Sequence, residues 1–582
     1  MDPKRFARAL PLLPLVFAAG CERCSKNGAV APDGTSSESS SAPPIVVVQP
    51  DGATVSHPAV ITEALASKVA GPVPTTKMTG IANPMSVECK SAGQPVSPTI
   101  FGVAFADEDK DLGATAHRWG GNTTTRYNWK LSAWNTTYSW FWQNIKIDSH
   151  DVFLGKAEQK GGHAAITVPI MGWVAKDTTS ASFPVSVFGP QDKTDPDHPD
   201  FGNGMKPDGK TPIKPGEPTR TSVKLSPEEV GQWVAKTKAS HKVYEYILDN
   251  EPGLWNTTHR DVHPEPMTYD ELLEKTIAYA TAIRKADPDA IIAGPASYGW
   301  WEYFYSTKDH DEGFHAKPDR KAHGDVPLLA WYLQKLAEHE KKTGTRLLDV
   351  LDVHIYPQAD GVQFSDGQGG DGGGNTDRAT NDRRFRTTRS LWDRQYEDES
   401  WIKDAVYLIP RMKDLIAQSY PGRGFQIGEY NFGAEHHIAG GIALAEALGR
   451  FALYGVSNAF YWTYPKKPKP AYWAFRAYRN YDGAGGHFLE RIVPSSSPAG
   501  TSLYASHDES GKKWVLVALN FSADRPQDAS VDLQGCTPPA NVKSFVYTGG
   551  DQGFVAGDAK ADGAKISAKL PPYSITVIEF TQ

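Results

Sequence analysis

Residues 244–255 read YEYILDNEPGLW, and this stretch decides the fold. Its first half is apolar and aromatic, and it ends abruptly at Glu251, which Pro and Gly follow. That pattern predicts a buried β-strand whose C-terminal tip presents a carboxylate. The pattern recurs at residues 425–433, FQIGEYNFG, where Glu429 takes the same place. One such glutamate is usually a solvated loop residue, but two at the tips of parallel strands match what a glycosidase needs, an acid/base and a nucleophile.

Eight apolar runs, most of them followed by a loop and a helical pattern, predict a closed parallel barrel. Besides the runs that end at Glu251 and Glu429, they are residues 100–105, 114–122, 165–173, 290–295, 347–357 and 459–464. Helices are predicted between them: Ser226 and Thr268 each open a capping box, and residues 326–343 and 440–454 have helical spacing. Strands and helices in alternation form a (β/α)8 TIM barrel, whose active site lies at the carboxyl ends of the strands. The two glutamates end the fourth and seventh strands.

Beyond about residue 482 the helical periods stop, and short strands follow between turns. They are residues 513–521, 529–533, 542–547 and 574–580, which predict a small antiparallel β-sandwich. The chain is therefore α/β, and its predicted parts follow one another along the sequence. They are a signal peptide at 1–20, a flexible Ser/Pro/Ala-rich tether at 21–82, an N-terminal strand segment at 83–99, the catalytic barrel at 100–482 and the sandwich at 483–582.

The N-terminus has the features of a bacterial secretory signal. Lys4, Arg5 and Arg8 precede an apolar run at residues 9–19, which is too short to span a membrane. The sequence AAGC at residues 18–21 is similar to a lipobox, in which Cys21 would be lipidated and begin the mature chain; a plain signal peptide is the alternative. We expect a protein that is secreted or anchored at the cell surface or outer membrane through Cys21.

Composition limits the partners and the redox chemistry. The net charge of −7 gives no nucleic-acid footprint, and 16 Trp, 24 Tyr and 23 Phe suit a cleft that stacks on sugars as well as a large core. We expect a polysaccharide substrate, no nucleic acid, and a monomer. The four cysteines, Cys21, Cys24, Cys89 and Cys536, form neither a disulfide scaffold nor a metal cluster. Cys89 and Cys536 could pair in an oxidising compartment; two buried free thiols are the alternative.

Two loops, residues 183–221 and 360–377, are rich in Gly and Asp, and neither matches the calcium-binding spacing of an EF-hand. We favour solvated insertions, with a structural calcium ion as the alternative. No metal ligand is predicted at the catalytic site, and no cofactor is expected to be required.

Glu251 is the predicted acid, since it ends an apolar strand, and Glu429 is the predicted nucleophile. Asn250 could bind the sugar 2-hydroxyl or the nucleophile. Arg118 could lower the pKa of Glu429; an ion pair elsewhere on the rim is the alternative. The further substrate-binding candidates lie at or near strand tips: Trp119, Asn122, Trp255, His354, Tyr356, Tyr430 and Trp462, the last as a floor for the sugar whose bond breaks.

Four motifs, taken together, resemble those of glycoside hydrolase family 44. They are RWGGN at 118–122 with YNW at 127–129, LDNEP at 248–252, LDVHIYP at 351–357 and GEYN at 428–431. The resemblance runs from about Val87 to the C-terminus and implies a retaining endo-β-1,4-glucanase or xyloglucanase, with Glu251 as acid/base and Glu429 as nucleophile. It also implies that the segment before the first barrel strand joins the sandwich, which fits a Cys89–Cys536 pair. The insertion at 360–377 and the long tether depart from the family pattern.

Two other functions compete with this one. The first keeps the barrel but acts from chain ends, as an exo-acting arabinofuranosidase, xylosidase or mannanase does. The second is a surface glycan-binding lipoprotein without turnover, against which the intact pair of glutamates argues. The sequence lacks the His-Glu-x-x-His and Gly-x-Ser-x-Gly motifs of metallopeptidases and serine hydrolases.

Overall fold

The computed structural model of the chain describes residues 85–106, 111–364 and 374–582, together with the backbone of three short strands, Val46–Val48, Thr54–Ser56 and Met78–Thr79. The predicted signal peptide, Cys21, nearly all of the predicted tether and residues 365–373 of the glycine-rich insertion lie outside the described residues. In the described part of the chain, no helix combines the length and the apolar character that crossing a bilayer requires.

The predicted eight-stranded parallel barrel is confirmed. Its strands are β1 Gly102–Ala104, β2 Ala116–Trp119, β3 His163–Val168, β4 Glu245–Leu248, β5 Ile291–Ser297, β6 Val350–Ile355, β7 Gly424–Tyr430 and β8 Asn458–Tyr461. Each strand pairs with the next in chain order, and β8 closes on β1. The strands are nearly continuous apolar runs because helices cover one face and the barrel interior covers the other.

Helices and short ladders fill the connections. The α-helices are His150–Gln159, Val185–Phe188, Pro227–Ser240, Trp255–Thr258, Tyr269–Ala286, Thr307–Glu312, Pro318–Ala322, Leu328–Thr343, Arg378–Thr387, Leu408–Ser419, Ile438–Leu453 and Pro470–Arg479. The 3-10 turns are Pro98–Phe101, Asn122–Arg126, Thr137–Trp140, Pro218–Arg220, Pro252–Leu254, Trp300–Tyr303 and Thr388–Leu391. Antiparallel ladders pair Ala133–Asn135 with Asn144–Lys146, and Trp173–Ala175 with Ser222–Lys224.

The two predicted capping boxes differ. The Ser226 hydroxyl accepts the Glu229 N–H at 3.2 Å, and the Glu229 carboxylate accepts the Ser226 N–H at 3.0 Å, so that box is complete. At Thr268 one half forms, with the hydroxyl accepting the Glu271 N–H at 3.2 Å. The Glu271 carboxylate turns instead to His263, at 2.8 Å, because that imidazole offers a competing partner.

The sandwich consists of two sheets. One contains Val555–Ala556, Ala540–Tyr547, Ser574–Thr581, Lys513–Asn520, Thr501–His507, Arg491–Val493 and Gln94–Pro95. The other contains Lys560–Asp562, Lys565–Leu570, Gln527–Gln534, Met85–Glu88, Ser495–Pro498 and Met78–Thr79. The second sheet is mixed rather than wholly antiparallel, since Met85–Glu88 runs parallel to Gln527–Gln534. These two strands end side by side, and Cys89 and Cys536 just beyond them form a disulfide with a Cα separation of 5.2 Å.

The helix Ile438–Leu453 joins the barrel to the sandwich. It follows β7, and its side chains are buried on every face because the barrel and the sandwich cover opposite sides of it. Gly449 lies against the Tyr504 ring of the sandwich, so close that a Cβ at this position would meet the ring at 2.3 Å. The helix that follows the Glu429-bearing strand therefore packs against both parts of the molecule.

Candidate active site

Glu251 lies in a tight turn at the end of β4. Both Asp249 (φ 62°) and Glu251 (φ 49°) have left-handed backbone, which non-glycine residues rarely adopt. The turn is stabilised by its neighbours: the buried Asp249 carboxylate accepts the Thr125 hydroxyl at 2.7 Å and the Ile170 N–H at 2.6 Å. The Glu251 N–H donates to the Ala296 carbonyl at 3.0 Å. Contacts from several connections thus fix the Glu251 carboxyl at the C-terminal mouth of the barrel.

Glu429, the penultimate residue of β7, receives two strong donors. Arg118 of β2 donates from Nη1 to Oε1 at 2.5 Å, and the Tyr356 hydroxyl donates to Oε2 at 2.7 Å. The second arm of the guanidinium reaches the Asn250 Oδ1 at 2.9 Å. Arg118 therefore links the ends of β4 and β7, and the predicted ion pair between Arg118 and Glu429 is present.

His354 lies between the two carboxylates. Its Nδ1 is 2.9 Å from the Glu251 Oε1 and 3.7 Å from the Glu429 Oε2. The contacting atoms of all three side chains lie within 4.8 Å of one another. The distant stretches around residues 251 and 429 thus converge across a gap that a glycosidic bond would occupy.

The two carboxyls differ in the protonation that their surroundings favour. Burial raises the pKa of Glu251, and the hydrogen bond and charge of His354 offset only part of that effect. Burial also acts to raise the pKa of Glu429, but the charges of His354 and Arg118, with hydrogen bonds from Arg118 and Tyr356, outweigh it and hold that pKa below its ordinary value. The surroundings therefore shift the two pKa values in opposite directions, which is the pattern that an acid and a nucleophile require.

Glu302 is a buried acid at the site that the sequence reasoning missed. Its carboxylate accepts the Gly253 N–H at 2.9 Å and the Tyr298 N–H at 2.6 Å, and burial raises its pKa to about 8. Gly253 has no room for a side chain, since a Cβ there would lie 2.6 Å from that carboxyl group. Its sequence signal was an acid directly after two tryptophans beyond the fifth strand, at residues 300–302.

Trp462 and Asn122 lie at the open side of the site. Trp462 is half-buried, with its ring 5.6 Å from that of Phe105. Gly121 lies beneath the indole: a Cβ there would be 2.7 Å from the ring, and the φ of 94° also favours glycine. Asn122, also half-buried, accepts a long hydrogen bond of 3.5 Å from Asn250.

Three predicted substrate contacts are corrected, because the side chains lie in the core. Trp119 is 5% exposed and packs edge-on against Tyr127. Trp255 is 0% exposed and donates from Nε1 to the Asp249 carboxylate at 3.2 Å, so it supports the turn that carries the predicted acid. Tyr430 is 0% exposed and lies in the hydrophobic core.

Among the described residues, Glu251, His354 and Glu429 are the only group of three or more His, Cys, Asp or Glu side chains placed closely enough to hold a metal ion. In the loop at 183–221 the buried Asp195 carboxylate is already bonded, to the Gln143 amide at 2.6 Å. Solvated insertions remain the prediction for these loops, with a structural calcium ion as the alternative.

Comparison with known proteins agrees with this geometry. A sequence model of glycoside hydrolase family 44 matches residues 133–359. The chain is 30% identical over 522 residues to endoglucanase A of Paenibacillus lautus, covering 84% of this chain and 71% of that protein. It is similar in structure to a bifunctional glucanase-xylanase from a metagenome library (34% identity, TM-score 0.79, 85% of this chain and 98% of that one). It is also similar to a family 44 xyloglucanase of Paenibacillus polymyxa solved with xyloglucan (27% identity, TM-score 0.69, 86% and 99%). The chain belongs to glycoside hydrolase family 44.

Proposed function

We propose that this glycoside hydrolase cleaves β-1,4-glucan chains internally and with retention, using Glu251 as acid/base and Glu429 as nucleophile. The observation that carries the proposal is the pair of carboxylates at the ends of β4 and β7, whose contacting oxygens lie within 4.8 Å of one another across His354. Retaining glycosidases hold their carboxyl groups about 5–5.5 Å apart, whereas inverting enzymes need about 6.5–9.5 Å to admit a water. The short spacing supports double displacement.

In the first step the Glu429 carboxylate attacks the anomeric carbon. The bond between that carbon and the glycosidic oxygen breaks, and the oxygen takes the proton of Glu251. The hydrogen bonds from Arg118 and Tyr356 hold Glu429 ionised and fix its orientation before it attacks. A glycosyl ester on Glu429 and an ionised Glu251 result.

The second step uses the charge change that the first step makes. In the free enzyme the negative charge of Glu429 helps to keep the pKa of Glu251 high. Esterification removes that charge, so the pKa of Glu251 falls and its carboxylate can take a proton from water. The water oxygen bonds to the anomeric carbon, Glu429 leaves as a carboxylate, and Glu251 regains its proton.

Covalent labelling tests the assignment of the nucleophile. An activated 2-deoxy-2-fluoro-cellooligosaccharide should label Glu429, which peptide mass spectrometry would identify. Glu251→Ala is the matched control, since it keeps the nucleophile and should still be labelled when the leaving group needs no protonation. Labelling of any other residue, or product of inverted configuration by proton NMR, would contradict the mechanism.

The substrate proposal is cellulose-type glucan, xyloglucan, or both, since relatives of the chain carry the names endoglucanase and xyloglucanase. Reducing-sugar release should be measured on glucan, xyloglucan, xylan and mannan, with Glu251→Gln as the blank. Endo action predicts that viscosity falls before much sugar is released. Release of single sugars without loss of viscosity would favour the exo-acting alternative, and binding without turnover the non-catalytic one.

We also propose secretion with a lipid at Cys21, a monomeric state and no required cofactor. Labelled palmitate should enter the wild-type chain but not Cys21→Ser, and equal release of both into the medium would favour a plain signal peptide. Dialysis against EDTA should leave kcat/KM unchanged. A loss that Ca²⁺ restores would establish the structural calcium ion.

A further inference from the structure

The barrel interior beneath the catalytic pair contains polar atoms that have no hydrogen-bond partner of good geometry among the described residues, although the Gln426 amide lies near enough to the Asp352 and Glu245 carboxyls to lower the pKa of each. These atoms are the Arg118 Nε, Thr167 Oγ1, Glu245 Oε1, both oxygens of Asp352, the His354 Nε2 and the Gln426 Nε2. The six side chains are each 0% exposed and come from β2, β3, β4, β6 and β7. Buried polar atoms without partners are rare in folded proteins, so such a concentration needs an explanation.

These side chains point into the barrel rather than toward the helices. Those on β2, β3, β4 and β6 have the strand parity of Ala116, Ala165, Ile247 and Val350, which belong to a separate interior cluster. On β7, the Gln426 Oε1 accepts a hydrogen bond from the Asn458 Nδ2 at 2.8 Å. Asn458 of β8 also reaches across the barrel, where its Nδ2 donates to the Glu245 Oε2 at 2.7 Å. A barrel interior is usually filled by bulky branched side chains, whereas here polar side chains lie beside the apolar interior cluster.

Small residues leave room beside the polar atoms. Alanines occupy interior positions 116, 165 and 293. Gly428, which directly precedes the predicted nucleophile, lies against the Asp352 carboxylate, where a Cβ would be 2.4 Å from Oδ1. The strand that bears Glu429 thus packs against the buried Asp352 carboxyl. The positive charges of His354 and Arg118 lie close enough to that carboxyl to act against the rise in its pKa.

The unpartnered set mixes donors and acceptors, which decides what can satisfy it. The Arg118 and Gln426 nitrogens donate, the Asp352 and Glu245 oxygens can accept, and the Thr167 hydroxyl does both. A cation would satisfy only the acceptors and an anion only the donors. Water does both, and buried waters typically make about three hydrogen bonds to such groups.

We propose that a cluster of buried waters fills the barrel beneath the catalytic pair and connects Asp352 to the inner nitrogens of Arg118 and His354. Asp352 is then a positioning residue: it touches no substrate, but it fixes the two side chains whose outer nitrogens hold Glu429 and Glu251. The inference of a water cluster depends only on the polar atoms of the barrel interior. The role of Asp352 in the reaction rests in addition on the proposed function.

At the opposite end of the barrel, a surface pocket brings solvent close to the polar interior. A pocket of about 380 Å³ opens beside the amino ends of the strands, and Tyr244, Val350, Ser457 and Asn458 are among its lining residues. Asn458 borders this pocket and also bonds to Glu245 and Gln426, at 2.7 and 2.8 Å. The amide of Asn458 therefore separates outside solvent from the polar interior.

A high-resolution crystal structure of the full chain tests the water directly. Ordered waters should lie within hydrogen-bond distance of the Asp352 carboxylate and the Arg118 Nε. An empty interior, or a metal ion in that density, overturns the proposal.

Thermal unfolding of Thr167→Val gives an independent test, because valine has the same shape without the hydroxyl. If water binds Thr167, the Tm should fall, as it should in the matched control Thr276→Val, whose hydroxyl bonds to Tyr332 at 3.1 Å. If the site is dry, removing an unsatisfied group should raise the Tm, and that result overturns the proposal.

Kinetics of Asp352→Asn test the positioning role. We expect kcat to fall about tenfold or more with KM within about twofold, since a small misplacement of catalytic groups slows the chemistry more than binding. The matched control is Asp414→Asn. Asp414 is a buried aspartate on the outer helix Leu408–Ser419 and pairs with Arg394 at 2.7 Å, so this variant should be less stable but should keep its kcat. Equal kcat in the two variants overturns the role of Asp352. If the wild-type chain hydrolyses no glucan, the proposed function fails, while the crystal and Thr167 experiments still decide the water cluster.

Discussion

At the end of β7, Glu429 faces a guanidinium and a phenol, whereas at the end of β4, Glu251 faces one imidazole and lies near a second buried acid, Glu302. Both carboxyls are almost completely buried, at 5% and 8% exposure, so desolvation penalises ionisation of each. The two pKa values differ because the carboxyls have different partners. Two strong hydrogen-bond donors, Arg118 and Tyr356, stabilise the charged form of Glu429, whereas among the described residues Glu251 has His354 alone. Two glutamates at the ends of two strands thus have their pKa values shifted in opposite directions by the side chains that adjacent strands supply.

Removal of the Glu429 carboxylate should have the largest effect on the rate. Glu429→Ala should reduce kcat by ~10⁴-fold or more, because no other group can form the glycosyl ester. Azide should restore part of the rate and give a glycosyl azide of inverted configuration. Hydrolysis rates on a soluble glucan with and without azide measure this, and an unaltered rate in the variant would remove the assignment.

Removal of the Glu251 carboxyl should reduce the rate by less, and the size of the reduction should depend on the leaving group. Glu251→Gln should slow hydrolysis of polysaccharide by about 10²–10⁴-fold, the usual contribution of general acid catalysis. A dinitrophenyl glycoside needs no protonation, so formation of the glycosyl ester from it should be far less affected. The alkaline limb of the pH profile should also disappear. An equal loss on both substrates would show that Glu251 does not act as the acid.

Arg118 tests the link between the two strand ends. Loss of its positive charge in Arg118→Met should raise the pKa of Glu429, so the acid limb of kcat/KM should move to higher pH. The rate at neutral pH should fall by about 10²-fold, as for other preorganised donors. Arg118→Lys is the control, because it keeps a charge near Glu429 but loses the fork that also reaches Asn250. If the rate of Arg118→Met falls but the acid limb of its kcat/KM profile stays at the wild-type pH, Arg118 does not lower the pKa of Glu429.

A change at Gly121, beneath the Trp462 ring, should affect substrate binding without changing the pKa values of Glu251 and Glu429. Gly121→Ala places a Cβ 2.7 Å from the Trp462 ring and should raise KM several-fold while both pH limbs stay in place. The matched control is Gly189→Ala, which has a similar positive φ of 78° but no atom within 4 Å of the added Cβ. Equal KM in the two variants would show that Trp462 does not contact the sugar.

Glu302 should give the smallest effect on rate and a measurable effect on stability. Because its pKa is about 8 in the folded chain and 4.5 ordinarily, the folded state binds the proton more tightly. The contribution of Glu302 to stability is therefore greatest below pH 4.5, declines as the pH rises to about 8, and changes no further above that. Glu302→Gln cannot ionise, so its Tm relative to wild type should rise across that window, by the equivalent of a few kcal/mol at most. Parallel Tm curves would contradict a protonated Glu302.

The order of the strands and the convergence of the two glutamates could be predicted because the strands are short, largely apolar runs separated by helical patterns, and two of these runs lead into a glutamate. The errors at Trp119 and Tyr430 have one cause: each directly follows an inward-facing residue, Arg118 or Glu429, so strand alternation turns it outward into the helix layer. Asp352 could not be recognised as part of the site from sequence, and the only sequence signal at Glu302 was its place directly after two tryptophans. Their significance depends on burial and on which atoms lack partners, and both arise only when distant segments pack together.

The disulfide between Cys89 and Cys536 encloses the entire barrel in one covalent ring, since the two cysteines are 447 positions apart and flank all eight strands. A protease that cuts once between β1 and β8 therefore leaves a single molecule that separates into two fragments only after reduction. If the chain is held at a surface by its N-terminus, the fragment beyond the cut stays attached there as well. The catalytic module is thus protected from being shed, although not from being nicked.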